Sequence, residues 1–250
     1  KNTSEVNDLA LAFNTMADSL EQSEQRRQEF IANVSHELKT PMTTIGGYVD
    51  GILDGTIPKD NEKHYLQIVS SEVRRLSRLV RSMLDLSRLQ AQGIDESRKT
   101  RFDLGDVMSD VLITFEQKIN ARGLQVSVDL PEKPVWTKAD RDAITQVVYN
   151  LLDNAIKFCP VGGNLGLILE QDGQKARLRI RNTGQTIPPE ELPLLFDRFH
   201  KADKARSADR EGWGLGLYIA KTIIGAHGGE IWATSENGVT EFTFTLPAVR

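Results

Sequence analysis

The first third of the chain carries apolar residues every three or four positions, with polar residues between them. This spacing predicts amphipathic helices, because one helical turn takes 3.6 residues. One helix is predicted from the start of the chain to about Leu53 and a second over about 60–91, with the turn residues Asp54, Gly55 and Pro58 between them. Two long helices joined by a short loop form an antiparallel hairpin. Each apolar stripe would stay exposed in a lone hairpin, so we expect two copies to associate into a four-helix bundle.

The rest of the chain has a mixed pattern, which predicts an α+β layer sandwich with a largely antiparallel sheet. Polar residues without a period at 93–101 predict a linker before it, and Asp103 is placed to cap the first helix. The predicted helices cover 103–121, 140–158 and 215–227, and the predicted strands cover 124–130, 166–170, 176–181, 230–235 and 240–246. Alternation places Phe242 and Phe244 on the inner face with the alternate threonines outside, and it gives strand 124–130 one apolar face.

His36 lies on the polar side of the first predicted helix, roughly opposite the midpoint of Val34 and Leu38, so its ring should face solvent. Glu37 follows it directly, and Thr40 lies one turn further along nearly the same face. The proline that comes next predicts a kink, because proline has no N–H and crowds the preceding turn. An exposed imidazole beside a carboxylate is a candidate catalytic group. An ordinary surface histidine is the alternative.

The predicted helix at 140–158 carries Asn150, Asn154 and Lys157 along one side, opposite its apolar residues. Asparagine is a poor helix former, so a purely solvated face would favour other polar residues. Amide oxygens suit a hydrated Mg²⁺ and a lysine suits phosphate. The face therefore indicates a site for a phosphate ligand with its metal, and a plain solvated face is the alternative.

A glycine-rich stretch, Gly212-Trp-Gly214-Leu-Gly216-Leu217, precedes the last predicted helix. Glycines let backbone N–H groups approach an anion closely, and the N-terminus of the following helix adds its dipole. No strand precedes the stretch and no Lys-Ser/Thr pair follows it, so neither the P-loop nor the dinucleotide fingerprint is met. A glycine-rich turn without a ligand is the alternative.

Composition narrows the possible classes of protein. The net charge of −4 comes without a basic stripe, so we expect no nucleic-acid partner. The single cysteine, Cys159, excludes an internal disulfide framework and fits a reducing compartment. No apolar run reaches the ~20 residues that span a bilayer. The chain starts at Lys1 already in a helical pattern, and we expect it to be a fragment of a longer protein.

The stretch Ser35-His-Glu-Leu-Lys-Thr-Pro41 resembles the phosphoacceptor motif of sensor histidine kinases. Further along, the asparagine-bearing helix, Asn182-Thr-Gly184, Leu195-Phe-Asp-Arg198-Phe199 and the glycine-rich stretch follow in the order of the GHKL ATP-binding fold of these kinases. The resemblance covers residues 30–246. In addition, residues 9–20 resemble the last helix of a HAMP linker, although any dimeric coiled coil would share that pattern.

The resemblance implies a domain order and a set of site residues. The expected parts are a HAMP-like coiled-coil end at 1–25, a dimerisation and phosphotransfer hairpin at 26–92, the linker at 93–101, and a GHKL-type ATP-binding domain at 102–250. ATP and Mg²⁺ are the implied cofactors, with Asn154 as the metal ligand. The implied nucleotide-binding residues are Asn150, Asn154, Lys157, Asn182, Gly184, Arg198, Phe199, Gly212, Gly214, Leu215, Gly216 and Leu217. Lys201, Lys204, Arg206 and Arg210 would belong to a lid at about 200–213.

One motif departs from the family. The adenine-binding motif normally reads Asp-x-Gly-x-Gly, whereas this chain has Asn182, Gly184 and Thr186 at those positions. An asparagine can accept from the adenine amino group without charge, which would weaken the contact by around 1–2 kcal/mol. Thr186 in place of a glycine would stiffen or reshape the turn.

These features predict a kinase that autophosphorylates His36 from ATP and passes the phosphoryl group to an aspartate of a response regulator. Glu37 would fix the ring tautomer, and Thr40 would orient a water for dephosphorylation of the regulator. The alternative for Thr40 is a hydroxyl that bonds back to a helix carbonyl near the kink. The resemblance also implies a homodimer and a parent protein anchored in the inner or plasma membrane, of which this chain is a cytoplasmic portion. The alternatives are a GHKL ATPase of the chaperone or topoisomerase kind, and a degenerate kinase that acts mainly as a phosphatase or dimeric scaffold.

Overall fold

The computed structural model of the chain describes residues 2–92, 95–200 and 214–249, without the side chains of residues 2–5 and 92. The chain divides into two compact units, Lys1–Leu79 and Val80–Arg250. The first is helical, and the second combines helices with two sheets. The predicted fold class, a helical hairpin followed by an α+β sandwich, is confirmed.

The helical part consists of α1 (Asn2–Leu53) and α2 (Lys59–Gln92). Between them, the Asp54 carboxylate accepts the Thr56 N–H at 2.9 Å, which closes the tight turn. The rings of Tyr48 and Tyr65 lie 4.9 Å apart between centroids, as expected for antiparallel helices that pack side by side. α1 stays helical through Pro41, and the kink expected there stays a prediction.

Both helices leave large apolar side chains in solvent. The exposed ones on α1 include Val6, Leu9, Phe13, Met16, Leu20, Ile31, Met42 and Leu53, and those on α2 include Leu66, Val73, Val80 and Leu84. Leu66, Val73 and Val80 follow one another at intervals of seven residues. That heptad spacing is typical of a helix face that packs against another helix.

The second unit begins within α2, where the Asp85 carboxylate accepts from Gln146 Nε2 at 3.4 Å. Its later helices are α3 (Leu104–Thr114), α4 (Glu116–Ala121), α5 (Arg141–Phe158) and α6 (Gly216–Ala226). Its strands are β1 (Lys99–Asp103), β2 (Gln125–Asp129), β3 (Trp136–Asp140), β4 (Asn164–Asp172), β5 (Lys175–Thr183), β6 (Ile231–Glu236) and β7 (Val239–Pro247). Short 3₁₀ turns lie at Glu96–Arg98 and Pro193–Phe196. As predicted, Asp103 caps α3, and its carboxylate accepts the Gly105 N–H at 2.9 Å.

Five strands form one sheet in the order β2-β4-β5-β7-β6, in which β2 and β4 are parallel and the other pairs antiparallel. β1 and β3 form a separate antiparallel ribbon. Sequence analysis missed both ribbon strands, and β1 begins inside the segment expected to be a linker. Polar residues dominate both strands, so the alternation of apolar and polar positions that marks a strand is not visible. In β1 the only large apolar residue is Phe102. The predicted linker itself stays a prediction.

Burial corrects two details of the predicted sheet. Phe242 and Phe244 face inward as expected, but Thr243 and Thr245 are also buried. These threonines lie on the outer face of β7, where their cross-strand partners on β5 are Arg179 and Arg177. β2 lies at the sheet edge, so its apolar face remains partly exposed. No helix among the described residues is long and apolar enough to cross a bilayer.

Candidate active site

His36 is exposed on α1 and Glu37 beside it is half-buried. No hydrogen bond or ion pair joins the His36 ring to another residue that the structure describes. The ring can therefore be approached from solvent, as the helical spacing predicted. Neighbouring residues on a helix point about 100° apart, and the described structure has no hydrogen bond between Glu37 and the His36 ring.

Thr40 is exposed one turn beyond His36, and its hydroxyl donates to the His36 carbonyl at 3.3 Å. Ser35, Thr43 and Thr44 make the same kind of bond to carbonyls four residues earlier. Serine and threonine often bond in this way inside helices. The role of Thr40 in orienting a water stays a prediction.

α5 carries the predicted metal and phosphate residues on the side away from its core. Asp140 caps this helix, and its carboxylate accepts the N–H groups of Asp142 and Ala143 at 3.1 and 3.2 Å. Asn150, Asn154 and Lys157 are all half-buried. They share one face because they follow each other at intervals of four and three residues. Buried apolar residues, among them Ile144, Val148, Leu151, Leu152 and Ala155, fix which face points away from the core.

The glycine-rich stretch meets this face directly. Asn150 Nδ2 donates to the Gly216 carbonyl at 3.1 Å, which pins the first residue of α6 against α5. Leu215 before it is buried, and Leu217 is half-buried in the first turn. Within the described part of the chain no side chain caps the N-terminus of α6, so its first N–H groups are candidates for binding an anion. Two motifs 66 residues apart in the sequence thus form one polar surface.

Phe199 and Gly214 close the base of the segment between them. The Phe199 N–H donates to the Gly214 carbonyl at 2.9 Å. Gly214 has φ +68°, and a Cβ there would lie 2.7 Å from the His200 carbonyl oxygen, so only glycine fits. Gly212, and the predicted lid residues at 201–213, lie outside the described residues.

Two side-chain contacts hold the residues that lead into that segment. Arg198 donates from Nη2 to the Tyr218 hydroxyl at 2.7 Å, and its guanidinium lies 4.6 Å from the centre of the Tyr218 ring. The His200 ring and the Glu191 carboxylate lie 2.9 Å apart. Tyr218 was not among the predicted residues. The contact could not be found from helical or strand spacing, because it joins a residue of α6 to one that lies 20 positions earlier, outside that helix.

Asn182 is buried at the end of β5, only 3% exposed. Its Nδ2 donates to the Thr183 carbonyl at 3.0 Å, so the amide oxygen is not used in that bond. A neutral amide tolerates this burial better than a carboxylate without a cation would. Gly184 follows, and a Cβ there would lie 3.0 Å from the Phe158 carbonyl oxygen. Close packing therefore explains the retained glycine.

Thr186 replaces a glycine of the family motif, and its hydroxyl forms a hydrogen bond. The hydroxyl accepts the Gly238 N–H at 2.9 Å, and the Gly184 N–H donates to the Gly238 carbonyl at 2.9 Å. Both bonds fasten the loop after β5 to the turn between β6 and β7. The threonine thus adds a hydrogen bond that glycine could not make, and the stiffening of the turn stays a prediction.

His227, at the end of α6, ties that helix to the start of α5. Its Nδ1–H donates to the Ile223 carbonyl at 2.8 Å, and its Nε2 accepts the Asp140 N–H at 3.1 Å. The ring is therefore neutral in this arrangement. Burial lowers the pKa of His227 below its ordinary value, chiefly because the charged form would lose its water.

The residues fit a nucleotide with a magnesium ion. Asn150 uses its amide nitrogen toward Gly216, which leaves its oxygen for a metal-bound water or phosphate. Asn154 lies one turn further on the same face. Mg²⁺ usually keeps several waters and takes few protein oxygens, so two amides and the ligand's phosphates suffice.

Comparison with known proteins agrees with this geometry. The family model of the His Kinase A (phospho-acceptor) domain matches residues 26–92, and that of the histidine kinase-, DNA gyrase B-, and HSP90-like ATPase matches residues 139–250. The Sensor protein SrrB of Staphylococcus aureus (strain MRSA252) is 38% identical over 226 residues, which cover 90% of this chain and 38% of that protein. The chain thus spans well under half of the curated relatives it matches.

Solved structures show the same likeness. The Acinetobacter baumannii histidine kinase AdeS matches with a TM-score of 0.70 and 30% identity, covering 86% of this chain and 98% of that one. Histidine kinase ThkA, solved in complex with the response regulator protein TrrA, matches with a TM-score of 0.72 and 27% identity over 92% of this chain and 66% of that one. A phosphoacceptor hairpin joined to an ATPase-type domain defines a histidine kinase core. The chain belongs to the sensor histidine kinases of two-component systems.

Proposed function

We propose that this chain autophosphorylates His36 from ATP and then passes the phosphoryl group to an aspartate of a response regulator. The observation that carries the proposal is the junction of Asn150 with Gly216, which joins a polar helix face to an uncapped helix N-terminus. That surface suits a triphosphate, and the exposed His36 supplies the nucleophile.

In the reaction, a nitrogen of the neutral His36 ring attacks the γ-phosphorus of ATP, the bond to the β,γ-bridging oxygen breaks, and ADP leaves. Glu37 accepts the N–H of the other ring nitrogen, which fixes the tautomer and stabilises the imidazolium that develops. A positioned base of this kind contributes about 10²–10⁴-fold. The remaining acceleration comes from positioning and from charge stabilisation on the phosphoryl oxygens.

Asn154, with Asn150, would hold Mg²⁺, which supplies charge neutralisation for the β- and γ-phosphates. Lys157 would contact phosphate oxygens from the next turn. Asn182 would accept from the adenine amino group through its amide oxygen, with Gly184 giving the base room. Gly214, Leu215, Gly216 and Leu217 would present backbone N–H groups to the phosphates, with Arg198 and Phe199 at the edge.

The proposed kinase activity also implies the partners of the chain. The exposed heptad stripe on α2 supports a homodimer through the hairpin, in which two copies bury it in a four-helix bundle. A receiver domain of a response regulator would dock on the exposed face around His36. We infer that the hairpin spans 26–92 and the ATP-binding domain 102–250, after a HAMP-like segment at 1–25. The parent protein would be membrane-anchored, with this chain on the cytoplasmic side.

Labelling from γ-³²P-ATP tests the proposal. Wild-type protein should take up label that survives base and is lost in acid, as a phosphoramidate does, and His36→Gln should take up none. His64→Gln is the matched control, because His64 is also exposed, and it should label like wild type. If His36→Gln labels as strongly as wild type, the proposed function is wrong.

A degenerate kinase that acts mainly as a phosphatase or scaffold is the second candidate. It is favoured by the neutral, buried Asn182 at the position that reads the base. Calorimetry with ATP and Mg²⁺ separates the two, because a scaffold would bind no nucleotide. A dephosphorylation assay with a phosphorylated regulator would then show whether Thr40→Ala loses phosphatase activity while autophosphorylation remains.

A further inference from the structure

Tyr218 is the third residue of α6 and has no role in the site as described so far. It receives Arg198 in two ways, through its hydroxyl at 2.7 Å and through its ring at 4.6 Å from the guanidinium carbon. The hydrogen bond fixes the position of the guanidinium group, and stacking on the ring fixes the plane of that group. Together they restrict a side chain that would otherwise sample many rotamers.

The location of this contact matters because of what surrounds it. The Phe199 N–H, one residue after Arg198, donates to the Gly214 carbonyl, two residues before α6 begins. The backbone that carries Arg198 is therefore fixed beside the approach to the helix. Tyr218 itself lies in the first turn of α6, which contains no acidic residue and has no side-chain cap among the residues that the structure describes.

We propose that Tyr218 is a positioning residue that holds Arg198 beside the N-terminus of α6, so that the guanidinium and the first amides of the helix act on the same phosphate group. This rests on the proposed function, since it assumes that the site takes ATP. Tyr218 touches neither nucleotide nor the reacting atoms. It acts by removing the conformational freedom that Arg198 would otherwise lose on binding.

Three variants test the proposal by ATP affinity. Tyr218→Phe keeps the ring and removes the hydroxyl, and we expect ATP to bind about 3- to 10-fold more weakly, as for loss of one hydrogen bond to a charged group. Tyr218→Leu removes both contacts and should weaken binding further. Thr222→Val is the matched control, because it removes a hydroxyl one turn further along the same helix. In the described structure that hydroxyl bonds only to the Tyr218 carbonyl. It should bind ATP like wild type.

The salt dependence of ATP affinity separates positioning from a structural role. A fixed cation beside the phosphates makes binding fall as ionic strength rises. We therefore expect Tyr218→Phe to bind ATP with a shallower salt dependence than wild type, at an unchanged melting temperature. If Tyr218→Phe binds ATP as wild type does, or more weakly with the same salt dependence, the proposal is overturned.

Failure of the proposed function gives a different result. Wild-type protein would then show no ATP binding at any salt concentration, and the assignment of Tyr218 would fall with it. If wild type binds ATP and Tyr218→Phe binds it equally well, only the positioning role of Tyr218 is wrong. Should Tyr218→Leu fail to fold, the phenylalanine variant still decides, because it preserves the packing volume of the ring.

Discussion

The helical hairpin and the ATP-binding unit bury their apolar residues in different ways. In the second unit, Leu152 on α5 and Phe244 on β7 are fully buried between helices and sheet. On α2, by contrast, Leu66 is 51% exposed and belongs to a stripe with Val73 and Val80. The second unit therefore has a complete core within one chain, whereas the hairpin has a face that needs another helix. Unfolding of the ATP-binding unit should not depend on protein concentration, and unfolding of the hairpin should.

Leu152→Ala should give the largest loss of stability, and this loss should be confined to the ATP-binding unit. Removing a fully buried leucine costs about 2–5 kcal/mol, from lost burial and from the cavity that remains. Chemical denaturation should show the loss in the transition of the ATP-binding unit, at every protein concentration. Ile113→Ala, at an exposed position of α3, is the control and should change little. A loss confined to the hairpin transition would contradict the division into two cores.

Leu66→Asp should act on the hairpin and weaken its dimer contact. A charge in the stripe would have to be buried in the dimer, so we expect dissociation to become easier by about 1.5–3 kcal/mol per protomer. Sedimentation equilibrium measures the change directly. Gln67→Asp adds the same charge at an exposed position next to the stripe and should leave the dimer intact. A Leu66→Asp protein that is as dimeric as wild type would show that another face makes the contact.

Acid should weaken the ATP-binding unit through His227. Because burial lowers its folded-state pKa below the ordinary 6.5, the unfolded chain binds the proton more readily. The contribution is present above pH 6.5 and is lost as the pH falls from there through the lowered value. Protonation would also deprive the Asp140 N–H of its acceptor, which costs about 1–3 kcal/mol when a buried donor is left unpaired.

Thermal unfolding at a series of pH values tests this expectation. Wild type should lose stability of the ATP-binding unit below pH 6.5, and His227→Gln should be less stable at neutral pH but show a flatter dependence. His64→Gln, in the hairpin, should keep the wild-type dependence. An equally steep profile in His227→Gln would assign the acid sensitivity to other groups.

Thr186→Val gives the smallest expected effect. It removes the acceptor for the Gly238 N–H, which lies near solvent and can bond to water instead, so the loss should be about 0.5–1 kcal/mol. Thr186→Ser keeps the hydroxyl and should behave like wild type in the same denaturation experiment. A valine variant as stable as the serine variant would show that the bond does not stabilise the loop.

The two parts also differ in how far the sequence predicts them. The hairpin follows from spacing and turn chemistry alone, because its contacts are local to each helix. In the second unit α5 and the hairpin of β4 and β5 were predicted closely, but β1 and β3 were missed, since Lys99, Arg101 and Lys138 conceal the ribbon among polar residues. Burial of Thr243 was missed because its cross-strand partners, Arg179 and Trp232, come from other strands.

The candidate site divides in the same way. His36 on α1 was predicted as an exposed residue from helical spacing, and Asn150 and Asn154 were predicted to share one face of α5. The bond from Asn150 to Gly216 and the contact of Arg198 with Tyr218 depend on tertiary packing, which no local pattern encodes. Thr186 was seen as a departure, but its partner Gly238 lies 52 residues away and emerged only from the fold.

The continuity of α1 has a mechanical consequence. A single helix of 52 residues is a rod about 78 Å long, and His36 lies about 50 Å along it. No proline lies in α1 before His36, so a twist imposed at the start of the helix changes the direction in which the imidazole points. One residue inserted between Leu20 and Phe30 would rotate the incoming half by about 100° relative to His36. The number of helical residues before His36 thus sets the direction in which its ring points relative to the start of α1.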